Sequence, residues 1–146
     1  MDFDTRVKLR IYQTVADTTR PPLRRELAQA FDVPEEEVEA TFRRLREKKL
    51  IALAPATSEI VMAPPFSAAP TPFSVIVEDK RYFGNCIWDA FGIAAALNRD
   101  AEIEASCGCC GEPACLAVRD GKPGPSDWLA HFAVPARHWW DDITFT

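Results

Sequence analysis

"CIWDAFGIAAALNRDAEIEASCGCCGEPACLAVRD", residues 86–120, decides the fold. Its first part, Cys86–Asn98, is an apolar run of helical length that closes near Asn98, a residue that tolerates the left-handed conformation of a helix C-terminus. "AEIEASC" (101–107) then alternates strictly between apolar and polar, and "ACLAVRD" (114–120) is similar. Between them "GCCGEP" reads as a turn, so the two strands pair across the cysteines. Upstream, "FSVIVEDKRYFG" (73–84) alternates around a polar turn and predicts a second hairpin. Strand–strand–helix–strand–strand is the order of a small α+β core, residues 73–146. Downstream, "GKPGP" (121–125) is a loop, "DWLAHFAVP" (127–135) is expected to be a strand and "RHWWDDITFT" (137–146) one more.

The front of the chain has a different period. Val7, Ile11, Tyr12 and Val15 fall on one face of a helix over residues 4–17, which "TTRPP" ends. A second helix restarts behind Pro22, with Leu23, Leu27 and Phe31 on one side. A third runs from about Pro34, with Glu35, Glu36 and Glu37 in its first turn and Arg43, Arg44, Arg46, Lys48 and Lys49 towards its end, the order that suits the helix dipole. "LIALAP" and "EIVMAP" around "ATS" complete residues 1–62 as a small hairpin. Three helices and a hairpin have the order of a winged helix. "APPFSAAPTP" (63–72), with four prolines, reads as an extended linker. The fold expected is therefore α+β: an N-terminal three-helix, winged-helix-like unit packed on a small antiparallel sheet with one central helix.

Composition narrows the function. The net charge of −5 disfavours a nucleic-acid binder, and four glutamates within residues 35–39 oppose phosphate approach to the third helix. Residues 1–50 carry eleven Lys/Arg against ten Asp/Glu, and residues 51–146 six against twelve. No apolar run has the length of a membrane span, and the charged start "MDFDTRVKLR" is no secretory signal. The expected location is the cytoplasm, where thiols stay reduced. Five cysteines cannot all pair, so soft-metal or redox chemistry is expected of them rather than disulfide bridging.

Cys86 and Asp89 stand three apart at the start of a helix, on a shared face. The free N–H groups of a first turn favour a thiolate, so a lowered thiol pKa and a better nucleophile or metal ligand are expected at Cys86. Asp89 can carry a proton beside it if burial or the thiolate raises its pKa. The same spacing also suits a small buried cysteine and a carboxylate that merely complements the dipole. Among the remaining residues, His131 and His138 are weak ligand candidates, and Trp88, Trp128, Trp139 and Trp140 are expected in the core or a pocket wall.

The stretch "RYFGNCIWDAFGIAAALNRDAEIEASC", followed by "GEP" and "ACLAV", resembles the central region of the organomercurial (alkylmercury) lyase family. The helical front also resembles that family's N-terminal helix-turn-helix-like domain. The resemblance implies cleavage of carbon–mercury bonds: one cysteine thiolate captures the organomercurial, a second joins it, and an aspartate relays the proton that releases the hydrocarbon. It places the first catalytic cysteine at Cys86, the aspartate at Asp89 and a structural cysteine at Cys107. The family's second catalytic cysteine follows the region matching "HWWDDITFT", and no cysteine follows Cys115 here. A shortened relative, or another thiol in its place, is expected.

Cys107, Cys109, Cys110 and Cys115 form a separate cluster, C-x-C-C-x4-C. Cys107 and Cys110 make one Cys-x-x-Cys pair, and the second pair usual in a structural zinc site is missing. Three sulfurs, with Cys115 reaching across the turn, would suit Cu(I), Zn(II) or Hg(II), so Cys86, Cys107, Cys109, Cys110 and Cys115 are all candidate metal ligands. In the alternative, Cys107 and Cys115 point into the core and Cys109 and Cys110 are exposed. A cluster thiol could also stand in for the second catalytic cysteine. Three functions follow: a lyase that needs no organic cofactor, a non-catalytic soft-metal binding protein on the same fold, or a metal-responsive DNA-binding regulator. The expected partner is a small organometallic or soft-metal ligand, with no membrane and no nucleic acid in the first two.

Overall fold

The structure, a computed structural model, describes residues 1–144. The chain divides into two units, Met1–Pro64 and Pro65–Thr146.

The first unit contains α1 (Phe3–Thr18), α2 (Arg24–Phe31), α3 (Glu35–Glu47), β1 (Ala52–Leu53) and β2 (Ile60–Ala63). α1 and α2 begin and end for local reasons. Asp2 accepts a hydrogen bond from the Thr5 N–H at 2.9 Å and caps α1. The Glu26 carboxylate accepts from the Leu23 N–H at 2.8 Å and so serves an orphan donor at the head of α2. Thr19 and Asp32 take left-handed backbone conformations that stop α1 and α2. The apolar stripes meet in one core of Val7, Ile11, Leu27, Val38, Phe42, Leu45, Ile51 and Ile60. The acidic head of α3 is partly neutralised in place. Arg24 reaches both Glu35 and Glu39 at 3.2 Å, and Arg43 pairs with Glu39 at 2.5 Å. β1 and β2 pair antiparallel, Ala52 opposite Met62.

The second unit contains β3 (Phe66–Ser67), β4 (Phe73–Val77), β5 (Lys80–Gly84), α4 (Ile87–Leu97), β6 (Ala101–Ser106), β7 (Pro113–Arg119), β8 (Lys122–Pro123) and a 3₁₀ turn at Ala136–Asp141. β3 falls inside the proline-rich stretch, and the Phe66 ring packs on Tyr82 with centroids 5.7 Å apart. Five strands form an antiparallel sheet in the order β5-β4-β6-β7-β8. Val75 lies opposite both Tyr82 and Ile103, and these three are buried. Ala90, Ile93 and Ala94, the buried side of α4, pack on strands β4, β5 and β6. Asn98 ends α4 in the left-handed conformation. The fold class is α+β, helices first and an antiparallel sheet with one helix after. Among the described residues, no helix is long and apolar enough to cross a membrane.

The tail departs from the expected strands. Residues 127–135 form none: Leu129 is 92% exposed and Trp128 lies partly in solvent. Alternation makes a strand only beside a strand that needs partners. Here the sheet already ends at β8, where Pro123 and the following Pro125 have no N–H to extend the ladder. Residues 136–141 coil into the 3₁₀ turn instead of extending. Pro135 precedes that turn, and the Trp139 indole donates to the Val134 carbonyl at 2.8 Å. The last two residues of the expected final strand lie outside the described residues.

Glu26 gives the helical unit an acid-sensitive contact. Arg20, 2.7 Å away, is the main cause, and the Leu23 N–H the second, of a pKa lowered from 4.5 to about 2. A depressed carboxylate stabilises the fold above its unfolded pKa and loses that contribution as pH falls through the folded value. Glu26→Gln should therefore flatten part of the decline in melting temperature between pH 4.5 and about 2, while changing stability at pH 7 only modestly because the pair is partly exposed. An unchanged acid profile would rule the contact out as a contributor.

Candidate functional site

Cys86 is the N-cap residue of α4, with extended backbone, and Asp89 lies in the first turn. What brings them there is the close approach of that turn to the end of β5. A Cβ at Gly84 would stand 2.8 Å from the Ala90 nitrogen and 3.0 Å from the Asp89 Cβ. The Asp89 carboxylate accepts a hydrogen bond from the Asn85 N–H at 3.2 Å. The Asn85 side chain donates to the Ile143 carbonyl at 2.8 Å, which ties the tail beside the Cys86 turn. Asn85 was not singled out from sequence. The available signal was an amide residue between the strand-ending glycine and the N-cap.

The electrostatics reverse the expected lowering at Cys86. Burial pushes the thiol pKa up, and the Asp89 charge and the hydrogen bond between the two side chains add to the rise. The Asp89 and Trp88 amides, the helix-start effect, pull the other way and lose. Asp89 is raised as well, first by burial, against the lowering by the Asn85 N–H and by Cys86. The pair is thus a thiol and a carboxyl that both hold protons more firmly than usual, joined side chain to side chain. Trp88, expected in the core or a pocket wall, is 65% exposed and so not in the core.

The cysteine cluster lies on the turn between β6 and β7. Cys107 donates its N–H to the Glu112 carbonyl at 2.8 Å and accepts from the Gly111 N–H at 2.9 Å. Gly111 has φ +75, so a residue without Cβ closes the turn. Cys107 is half-buried, Cys109, Cys110 and Cys115 are exposed, and all five cysteines are free thiols. The amides of Cys110 and Cys109, and then the Cys110 side chain, lower the Cys107 pKa. Cys115 sits opposite Glu104, on the exposed face where Glu104 accepts from Ser74 at 3.0 Å and from Arg81 at 2.5 Å. It therefore does not point into the core. Among the described residues, no three His, Cys, Asp or Glu side chains group so as to hold a metal ion. His131 is exposed, and His138 pairs with Asp141 at 2.9 Å.

Both thiol sites lie at one end of the sheet. Gly84 pairs with Phe73, and Ser74 with Glu104, so the end of β5 before Cys86 and the end of β6 before Cys107 are level. Only β4 lies between these strands.

Two outcomes follow. Gly84→Ala should destabilise the fold by about 1–3 kcal/mol, the usual cost of overpacking, because the nearest atom is backbone; an unchanged melting temperature would show that the turn can yield. With iodoacetamide at pH 7, Cys107 should be modified before Cys86, because only the thiolate reacts. The gap should narrow as pH rises past 9, the ordinary thiol value, since Cys86 goes on gaining thiolate after Cys107 has saturated. Timed peptide mass spectrometry reads both rates, and faster labelling of Cys86 at neutral pH would contradict the assignment.

Comparison with known proteins agrees with this architecture. The alkylmercury lyase family matches over residues 66–146. The mercury-bound form of MerB2 has the same fold, with a TM-score of 0.65 at 20% identity over 83% of this chain and 59% of that one. The chain thus spans less than two thirds of that protein's length. No curated protein matches. The family match takes in β3 to β8, α4, both thiol sites and the tail, more than half of the sequence, and the chain belongs to the alkylmercury lyase family.

Proposed function

We propose that this protein cleaves carbon–mercury bonds, with Cys86 as the capturing thiol and Asp89 as the proton carrier. The observation that carries this reading is the joined, half-buried Cys86–Asp89 pair at the mouth of α4, with both pKa values raised. Mercury is the soft partner that thiolate sulfur prefers. As the Cys86 sulfur bonds to the mercury of R–Hg–X, the thiol proton passes to the Asp89 carboxylate. Asp89 then gives that proton to the carbon. The electron pair of the C–Hg bond becomes the C–H bond, the hydrocarbon leaves, and Asp89 returns to its carboxylate form. Mercury(II) remains on Cys86 with X, which an external thiolate can replace. The balance is R–Hg–X plus one thiol giving R–H plus a sulfur-bound mercury(II), with no oxidation or reduction. A raised Asp89 pKa suits this, since a carboxyl that transiently holds the proton is the better relay.

The free thiols of the β6–β7 turn favour a second reading, a soft-metal binding protein on the same fold that captures mercurials without cleaving them.

One assay separates the two. Phenylmercury acetate with excess external thiol should yield benzene from the wild-type chain and none from Cys86→Ser. Asp89→Asn should still take up phenylmercury but release benzene at least about 100-fold more slowly, the usual effect of losing a positioned proton donor. Turnover surviving in Cys86→Ser would sink the catalytic assignment. Stoichiometric mercury uptake without benzene from the wild type would support the binding protein.

A further inference from the structure

The cysteine cluster is not one site. Its four sulfurs are sorted by the backbone. The hydrogen bond from Gly111 N–H to Cys107 carbonyl closes a single helix-like turn, and in such a turn residues three apart share a side whereas adjacent ones do not. Cys107 and Cys110 therefore share a side of the turn. Cys109, next to Cys110, points elsewhere. Cys115 is fixed across from Glu104 on the exposed face of the sheet by its place in β7. The pair is reduced, and Cys110 is open to solvent.

From this geometry we infer that Cys107 and Cys110 form a two-sulfur site for a soft cation that accepts linear coordination, with mercury(II) as its occupant. Zinc would need more ligands than the turn offers, and no third His, Cys, Asp or Glu joins the group among the described residues. Binding forms two S–Hg bonds to Cys107 and Cys110 as the two earlier mercury ligands leave (the Cys86 sulfur and X for the ion the reaction deposits, two chlorides for mercuric chloride), and the thiol protons go to the departing groups or to solvent. The choice of mercury(II) rests on the lyase reading, which leaves that ion on Cys86. The turn also lies at the Cys86 end of the sheet, two strand spacings or about 10 Å across. The site is thus placed to accept the ion that the reaction deposits.

The test uses the full chain carrying Cys86→Ser, so that capture at the proposed catalytic thiol plays no part. The probe is mercuric chloride at one equivalent, with about a 100-fold excess of glutathione, a competition that a chelating pair of linked thiols withstands. Retained mercury after gel filtration and the ultraviolet sulfur-to-mercury absorption are both read. Cys86→Ser should hold one mercury(II). Adding Cys107→Ser or Cys110→Ser should reduce retention at least tenfold, while adding Cys109→Ser or Cys115→Ser should leave it unchanged. Cys110 is exposed, so its variant reports even where loss of Cys107 disturbs folding, which circular dichroism would show. No retention in Cys86→Ser, or equal loss on changing Cys109 or Cys115, overturns the proposal. Benzene release by the wild type does not enter this result, so failure of the lyase reading and failure of the two-sulfur site remain distinct.

Discussion

The second unit depends on the absence of one carbon atom. Where β5 ends, the chain must turn at once into α4, and the first turn of that helix sits so close to the strand that a side chain at Gly84 would meet the backbone of Ala90. This approach brings Asp89 back to the Asn85 N–H and leaves Cys86 as the residue at the bend. Thr71 reinforces the bend by donating its hydroxyl hydrogen bond to the Gly84 carbonyl at 2.5 Å. The helix is held from behind by Ala90, Ile93 and Ala94, small residues on the whole, which let it lie close to the sheet. The relative position of thiol and carboxyl is thus set by close packing of backbone on backbone, which side-chain motion cannot relax.

That tight placement explains why the two thiol environments differ in sign. A helix start supplies N–H groups to any sulfur at its N-cap, but at Cys86 the same packing excludes water, and the loss of hydration outweighs the amides. At Cys107 the amides act on a sulfur that solvent still reaches, and they prevail. Similar local donors give opposite results because the surrounding dielectric differs. A reaction that must both bind a soft ion and deliver a proton uses the thiol proton of Cys86 and an Asp89 carboxylate whose raised pKa lets it accept and pass that proton on. A site that only binds is helped by the amides that lower the Cys107 pKa.

Much of this was legible in the sequence because burial dictates period. Val7, Ile11 and Val15 on α1, the alternation of "AEIEAS" on β6 and Asn98 at the end of α4 each follow from which side faces a core. Cys115 was legible in principle as well, since it stands opposite Glu104, an outward position. Three things were not legible. The sign of the Cys86 shift depends on how much water the fold excludes, which spacing does not encode. "DWLAHFAVP" has a strand's alternation, but β8 ends in Pro123 and Pro125 follows it, so hydrogen-bond donors are missing where a next strand would need them. The role of Asn85 depends on Ile143, fifty-eight residues away, a distance over which local patterns carry no information.

β8 has a consequence beyond closing the ladder. The outer edge of a sheet invites the strands of other molecules, and β7, seven residues long, would be such an edge if left bare. Lys122 and Pro123 cover its end with a charge and a missing N–H, and Pro125 follows two residues later. The strip pairs only with Val118 and Arg119, so at that end of β7 a lysine side chain and a missing N–H, rather than free donors, face an incoming strand.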